Sequence, residues 1–426
     1  MDIKKLHHLF LKSKGISTDT RNIKNGQIFF ALKGDNFNGN KYAQAAIDNG
    51  ATYAIIDELE YAKTKQFILV DDVLESLQEL AAFHRGFLAI PIIAITGTNG
   101  KTTTKELINT ILSRKYNTVA TKGNLNNHIG VPLTLLSMDK NTQIGIVEMG
   151  ANHVGEIEKL CLIAKPDYGL ITNIGTAHLE GFGSVESIVK AKNELYHFIA
   201  GTKGSLFVNG DDDLLMKLSV EISRKIYSEN SNHSCKAKML KSDTFLKLEW
   251  KEQQITTKLV GAYNFQNALA AICIGQYFKV NNEDVISAIK EYEPGNQRSQ
   301  LMETGNNKLI IDAYNANPTS MRLAVENFAH ISAKNKLLIL GDMLEMGESA
   351  YSEHKKMIDL VSKLKFKHTY FVGKEFMKFD EKRSKNKFFS NVSELNKYLK
   401  KQATKNNFVL LKASRGIGLE RTIPFL

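Results

Sequence analysis

The sequence predicts an α/β protein of three units, the two larger ones built on doubly wound, mainly parallel sheets. Three observations lead there. The chain has 426 residues, which at roughly 150 residues per domain corresponds to about three. From about residue 88 onward, short β-rich runs alternate with helical patterns, the signature of parallel α/β layers. Between two such alternations stands Glu293-Pro294-Gly295-Asn296, which combines chain breakers with polarity. The expected units are 1–87, 88–295 and 296–426.

The elements follow in order. The first unit has strand candidates at 27–32, 51–56 and 67–70. The second has them at 91–96, 117–120, 144–148, 168–173 and 205–208. Between the first two of these, Leu107, Ile108, Ile111 and Leu112 recur at helical spacing, so an amphipathic helix packs on the sheet and completes a βαβ unit. The third unit has strand patterns at 309–313, 336–340, 368–372 and 408–412, with helices over 321–331 and 353–364 between them. No internal repeat, heptad run or low-complexity tract interrupts this order.

With 43% hydrophobic and 24% charged residues, and 6 Pro against 29 Gly, the chain is neither disordered nor fibrous. The formal charge of +11 favours anionic partners. The densest basic stretch, 363–387, is interleaved with apolar and acidic residues and reads as a solvated face, so nucleic acid is not expected as a partner. Cys161, Cys235 and Cys273 lie far apart without a C-x-x-C, which fits a reducing compartment. The longest apolar stretch, 87–95, contains Pro91 and falls well short of the ~20 residues that span a bilayer. Residues 1–15 do not read as a signal peptide, so a cytoplasmic location is expected.

The clearest chemical signal is Thr96-Gly97-Thr98-Asn99-Gly100-Lys101-Thr102-Thr103-Thr104, between the strand Ile92-Ile93-Ala94-Ile95 and a helix. Strand, glycine loop, Gly-Lys-Thr and helix place successive backbone N–H groups around a polyphosphate, with Lys101 on its oxygens and Thr102 toward Mg²⁺. The strict G-x-x-x-x-G-K-[ST] pattern fails, because Ile95 holds the first glycine position; the loop is tighter. Glu148 ends the apolar strand Ile144-Gly145-Ile146-Val147-Glu148 at its carboxyl edge, where α/β sheets bind ligands and a carboxylate can hold Mg²⁺. His178 sits in a loop after the next strand, where a lone histidine reads more readily as structural. Lys192 lies four residues after Ile188, three before Leu195 and four before Tyr196, on the apolar stripe of a helix over 185–200. Pattern alone favours a lysine that snorkels its charge to the edge; a desolvated amine could instead act as a nucleophile or take up CO₂ as an anionic carbamate.

Taken together, Thr96-Gly97-Thr98-Asn99-Gly100-Lys101-Thr102, Glu148-Met149-Gly150, His178-Leu179-Glu180-Gly181-Phe182-Gly183 and Ala191-Lys192 resemble the Mur ligase superfamily, the ATP-dependent amide ligases of peptidoglycan precursor synthesis. Asp312-Ala313-Tyr314-Asn315-Ala316-Asn317-Pro318 with Ser320-Met321, and Leu340-Gly341-Asp342-Met343-Leu344-Glu345-Met346-Gly347, are similar to its MurF type, which joins D-alanyl-D-alanine to UDP-N-acetylmuramoyl-tripeptide. The resemblance implies a small α/β UDP-binding domain, a central P-loop ATPase domain and a Rossmann-like C-terminal domain that closes over the active site. It implies an acyl-phosphate intermediate, release of ADP and phosphate, two Mg²⁺ ions and a carbamylated Lys192.

Residue by residue, the resemblance assigns Gly97, Thr98, Asn99, Gly100, Lys101, Thr102 and Thr103 to the nucleotide phosphates, with Thr102 on one metal. It makes Glu148, His178 and carbamylated Lys192 the second metal's surroundings, which reverses the snorkelling reading. It gives Asn264 and Asn267 to the adenine, and Arg298 and Asp312 to ATP phosphate and ribose. Thr18, Asp19, Thr20 and Arg21 look like the UDP segment, and Asn126 and Asn127 like the muramoyl-peptide channel. Asn315, Asn317, Lys412, Ser414 and Arg415 are candidates for the peptide and dipeptide carboxylates. The chain departs from the family pattern at Tyr263, where His is usual, at Thr20 for Ser, at Phe37-Asn38-Gly39-Asn40 for Asp-Gly-His, and at Ala413 for Gly. A monomer is expected. The alternatives are a superfamily ligase that adds a single amino acid, a folylpolyglutamate synthase-like enzyme, a nucleic-acid-binding P-loop NTPase, and a non-catalytic nucleotide-binding scaffold.

Overall fold

The computed structural model describes residues 1–176, 179–230, 233, 235–380, 386–402 and 404–426. The central sheet has seven parallel strands in the order Cys235–Lys236, Arg224–Ser228, Ser205–Asn209, Tyr168–Ile171, Ile92–Thr96, Ile144–Glu148 and Thr118–Ala120. All five residues of Ile92–Thr96 are buried, as expected of a strand with neighbours on both edges and helices on both faces. From Ile92–Thr96 the chain runs outward to Thr118–Ala120, returns to Ile144–Glu148, then crosses to Tyr168–Ile171 on the other side. The loop after Ile92–Thr96 therefore sits between the carboxyl ends of two neighbouring strands at a switch in strand order, where open α/β sheets bind ligands.

The N-terminal sheet is four parallel strands, Ile16–Ser17, Ile28–Phe30, Tyr53–Ile56 and Phe67–Leu69. It is joined to the centre through helix Val73–Leu88, whose Leu77 and Leu80 share one buried core with Ile92, Val131 and Leu160. Near the end of that helix, buried Arg85 donates to Ala164 O (3.0 Å), Lys165 O (3.0 Å) and Asp167 Oδ2 (2.8 Å). The same Asp167 Oδ2 accepts the N–H of Ile92 at 2.8 Å, which ties the entry of the phosphate-loop strand to the N-terminal unit.

The C-terminal sheet runs Gln300–Glu303, Lys308–Asp312, Phe408–Lys412, Lys336–Gly341, His368–Val372 and Lys387–Phe389, parallel except for its first strand. Before it, Asn296, Gln297 and Ser299 all have left-handed backbones, with φ of 56°, 58° and 49°. These strained residues cluster where the breakers predict a boundary.

Two features go beyond the sequence reading. Arg224–Ser228 and Cys235–Lys236 extend the central sheet, although they are short and their charged residues hide the strand pattern. An antiparallel sheet of Lys238–Leu240, Phe245–Trp250 and Gln253–Val260 interrupts the α/β alternation and buries Leu246, Leu248, Trp250 and Ile255. Their period-two alternation was visible in the sequence. Helices start earlier than expected at Pro318–His330 and Ala350–Lys363. In Pro318–His330, Asn317 and Ser320 form a reciprocal capping box and Pro318 takes the first turn.

Candidate active site

Gly97 and Gly100 carry the phosphate loop with φ of +138° and +81°, backbone that L-side chains rarely adopt. A Cβ on Gly97 would collide with Thr172 Oγ1 and lie 3.0 Å from Thr172 N and 3.1 Å from Asn173 O. The loop is thus pressed against the end of the neighbouring strand. Asn99 N donates to Asn173 Oδ1 (3.1 Å), and Asn99 O accepts from Asn173 Nδ2 (2.9 Å) and Thr172 Oγ1 (2.6 Å). Thr98 Oγ1 donates to Gly175 O (3.1 Å) and accepts from Gly175 N (3.0 Å). Thr172 and Asn173 were missed from the sequence; their signal was the carboxyl end of a strand beside the loop.

Lys101 opens helix Lys101–Leu112 and turns its Nζ back onto Gly97 O (2.6 Å) and Thr98 O (3.1 Å). Burial, followed by the nearby Arg298 charge, lowers its pKa, against the opposing pull of Glu148. Thr102 Oγ1 donates to Glu148 Oε2 at 2.9 Å, and Asn126 Nδ2 donates to Glu148 Oε1 at 2.9 Å. The Glu148 N–H is held by Thr121 Oγ1 at 2.9 Å, and the carbonyl of Thr121 accepts from the buried Lys105 ammonium. Asn127 Oδ1 accepts from Gly130 N at 2.9 Å, at the start of the helix Gly130–Leu135.

Lys192, in helix Val185–Gly201, is only 3% exposed, so the snorkelling expected from pattern alone does not occur. Its neighbours on the stripe, Ile188, Leu195, Tyr196 and Ile199, are buried with it. Burial, then repulsion from Lys101, pushes its pKa down from 10.5 to about 7. The ammonium lies 5.4 Å from the centre of the Phe182 ring. The expected partner His178 lies outside the described residues.

On the opposite wall, Asn267 Nδ2 donates to Asn264 Oδ1 (3.0 Å), Asn264 Nδ2 to Val260 O (2.9 Å), and Thr104 Oγ1 to Asn267 Oδ1 (3.1 Å). The asparagine pair thus braces the loop; a Cβ on Gly100 would strike Asn267. Tyr263, where histidine was expected, shares a hydrogen bond of 2.7 Å with Ser299 across the boundary between units. Arg298 stacks on Tyr314 at 3.9 Å.

From the C-terminal unit, Asp312 and Lys412 stand side by side in register, and Lys412 Nζ meets Asp312 Oδ2 at 2.6 Å. Two charges assigned to different substrates are here paired with each other. Asn315 Oδ1 accepts from Ala316 N at 2.9 Å. Ser414 is buried, accepting from Leu344 N (2.9 Å) and donating to Ala316 O (3.2 Å), while exposed Arg415 lies 5.3 Å from the Tyr314 ring. Asn317 reaches across to Asn99 Oδ1 at 2.8 Å. The second motif is a brace: Asp342 accepts from Glu375 N (2.9 Å) and Phe376 N (3.0 Å). Thr18, Asp19, Thr20 and Arg21 lie outside the wall of this cavity, with Asp19 and Arg21 ion-paired at 2.8 Å.

The cavity has a volume of about 1020 Å³ and is walled by Lys101, Glu148, Asn126, Asn267, Arg298 and Asp312 among others. Around it, Asn99 Nδ2 and Arg298 Nε are buried donors with no partner, so the site fits an anionic ligand such as a polyphosphate. Thr102 and Glu148 present hard oxygen donors to each other, which fits Mg²⁺ with water completing its shell. Among the described residues no group of three or more His, Cys, Asp or Glu side chains is arranged to hold a metal.

The description "Mur ligase family, catalytic domain" matches residues 12–85, "Mur ligase middle domain" 95–275, and "Mur ligase, glutamate ligase domain" 297–415. A UDP-N-acetylmuramoyl-tripeptide--D-alanyl-D-alanine ligase from Bacillus subtilis (strain 168) is 35% identical, over 97% of this chain and 93% of its own. The chain belongs to the Mur ligase family. Two solved Mur ligases share its three-unit architecture. MurF from Acinetobacter baumannii superposes with a TM-score of 0.85 at 31% identity, covering 98% of this chain and 97% of that one. MurF ligase from Thermotoga maritima in complex with ADP gives 0.83 at 25% identity with the same coverages.

Proposed function

We infer that the chain is an ATP-dependent ligase that joins D-alanyl-D-alanine to UDP-N-acetylmuramoyl-tripeptide in peptidoglycan precursor synthesis. The observation that carries this is the cavity over the glycine loop, to which the C-terminal unit contributes Arg298 and Asn317, the latter bonded to Asn99. The near full-length likeness to dipeptide-adding ligases favours this reading over a ligase that adds a single amino acid.

A carboxylate does not condense with an amine in neutral water, because its oxygen is a poor leaving group. ATP with Mg²⁺ supplies the activating phosphoryl group and neutralises its charge. The terminal tripeptide carboxylate attacks the γ-phosphorus, its bond to the ADP oxygen breaks, and an acyl phosphate forms. The D-alanyl-D-alanine amine then attacks the acyl carbon, loses a proton, and phosphate departs.

In this reading Lys101 leaves its loop carbonyls for phosphate oxygens. Thr102 and Glu148, 2.9 Å apart, would hold one Mg²⁺. Lys192, about half of it neutral at pH 7, would add CO₂ and release a proton to water to become a carbamate, which together with His178 and Glu148 would hold a second ion. Asn264 and Asn267 face the base, and Arg298 and Asp312 complete the nucleotide site when the third unit closes, excluding water. Units 1–87, 88–295 and 296–426 would serve UDP binding, ATP binding and closure respectively, with Thr18, Asp19, Thr20 and Arg21 on UDP. Among the described residues no helix is long and apolar enough to cross a membrane; a cytoplasmic location fits a nucleotide-linked substrate.

The test is phosphate release with UDP-N-acetylmuramoyl-tripeptide, crossed against D-alanyl-D-alanine and single amino acids. Release dependent on the dipeptide is expected. Release only with a single amino acid would falsify the assignment.

A further inference from the structure

The contact between Asn317 and Asn99 joins the C-terminal unit to the phosphate loop through two amides whose orientations are fixed. Asn317 Oδ1 accepts the backbone N–H of Ser320 at 2.9 Å as the cap of helix Pro318–His330. Only an oxygen can accept from an N–H, so the other end of the amide, facing Asn99 at 2.8 Å, is Nδ2. The Asn99 atom it meets must then be Oδ1. That leaves Asn99 Nδ2 pointing elsewhere, buried and without a partner, on a residue that lines the cavity. The Asn99 backbone is itself clamped by Thr172 and Asn173, so the side chain has little freedom to choose another pose. The approach is shared by the rest of the helix start: a Cβ on Gly175 would lie 3.6 Å from Thr319 Oγ1.

Resting on the nucleotide site argued above, we propose that Asn317 is a positioning residue: on closure it takes Asn99 Oδ1 and so aims Asn99 Nδ2–H at the terminal phosphate of the bound nucleotide. ADP lacks that phosphate and is indifferent to the pair. The C-terminal unit thereby senses whether a triphosphate is present, and closure is coupled to the group that is about to be transferred.

Serine and aspartate both cap helices well, so Asn317→Ser and Asn317→Asp separate the cap from the contact. Affinity for ADP and for a β,γ-imido ATP analogue is measured by calorimetry, with phosphate release in parallel. Asn317→Ser is expected to keep its melting temperature and its ADP affinity. It should lose affinity for the analogue by about tenfold, the worth of one hydrogen bond to a charged group. Asn317→Asp offers only acceptors and turns the Asn99 amide round, so its loss should be larger. Asn99→Ala should match Asn317→Ser, and the double variant should be no worse than either single one. Equal losses for ADP and the analogue, fully additive losses, or an Asn317→Asp variant that binds the analogue like the parent would overturn the proposal. Failure of the parent protein to bind either nucleotide would instead sink the functional reading on which it rests.

Discussion

Replacing Lys192 by methionine should abolish ligation and at the same time make the protein more stable. The side chain is 3% exposed, and its pKa is held at about 7 against an ordinary 10.5. At about 1.36 kcal/mol per pH unit, keeping that charge buried costs about 5 kcal/mol wherever both folded and unfolded chains carry it, which is below pH ~7. Between about 7 and 10.5 the unfolded chain still binds the proton and the folded chain does not, so stability rises with pH. Above that window the penalty is gone. Methionine matches the length without the charge. It forfeits the ammonium's contact with Phe182, 5.4 Å away, worth about 1 kcal/mol. A net gain of about 2–4 kcal/mol at pH 6 is expected, or roughly 5–10 °C in the melting transition of the central unit. The assay is thermal melting from pH 6 to 10 in CO₂-depleted buffer without nucleotide; the gap between variant and parent should be widest at pH 6 and close by pH 10. A variant melting at or below the parent at pH 6, or a gap unchanged at pH 10, refutes the reasoning. In the companion Lys192→Ala variant, phosphate release should be partly restored by short carboxylates; restoration by added amines instead would point to a role for positive charge rather than a carbamate.

Gly97→Ala drives a Cβ into the Thr172 hydroxyl and brings it within 3.0 Å of Thr172 N and 3.1 Å of Asn173 O, so backbone as well as a side chain must give way, at a φ of +138° that L-side chains rarely adopt. Backbone strain of about 1–2 kcal/mol plus one lost hydrogen bond should weaken ATP-analogue binding about 30- to 300-fold in calorimetry; an unchanged affinity would show that the loop does not bind the phosphates. His7 Nε2 and His84 Nδ1 share a buried hydrogen bond of 3.0 Å, and His84 Nε2 meets Met138 O at 2.9 Å, so the carbonyl requires a proton on His84 Nε2. Burial lowers both pKa values. The unfolded chain therefore takes up protons first as pH falls below 6.5, and stability should drop from there downward; a melting temperature equally steep in His84→Gln would remove the pair as its cause.

Much of the site was legible because it lies where the chain is locally ordered. Thr96 to Thr102 form one strand-loop-helix turn, so spacing along the sequence equals arrangement in space, and Glu148 declared itself as the carboxyl end of an apolar strand. Lys192 was readable as a lysine on an apolar stripe, yet whether it snorkels depends on how near the helix lies to its sheet. Asn173 and Thr172 went unseen because their partners are 73 or more positions away in the chain. The antiparallel insertion at 238–260 was hidden by the surrounding α/β alternation, although its own alternation was present.

The sequence by itself determined the fold class, the phosphate loop and the family motifs, because each rests on periodicity or on contacts within a few residues. The tertiary structure alone decided which charges are free and which are paired. Asp312 and Lys412 are 100 positions apart and neutralise each other; Asn317 and Asn99 are 218 apart and join two units. Desolvation and hydrogen bonding act over a few ångströms, and only the packed chain sets those distances between residues remote in sequence.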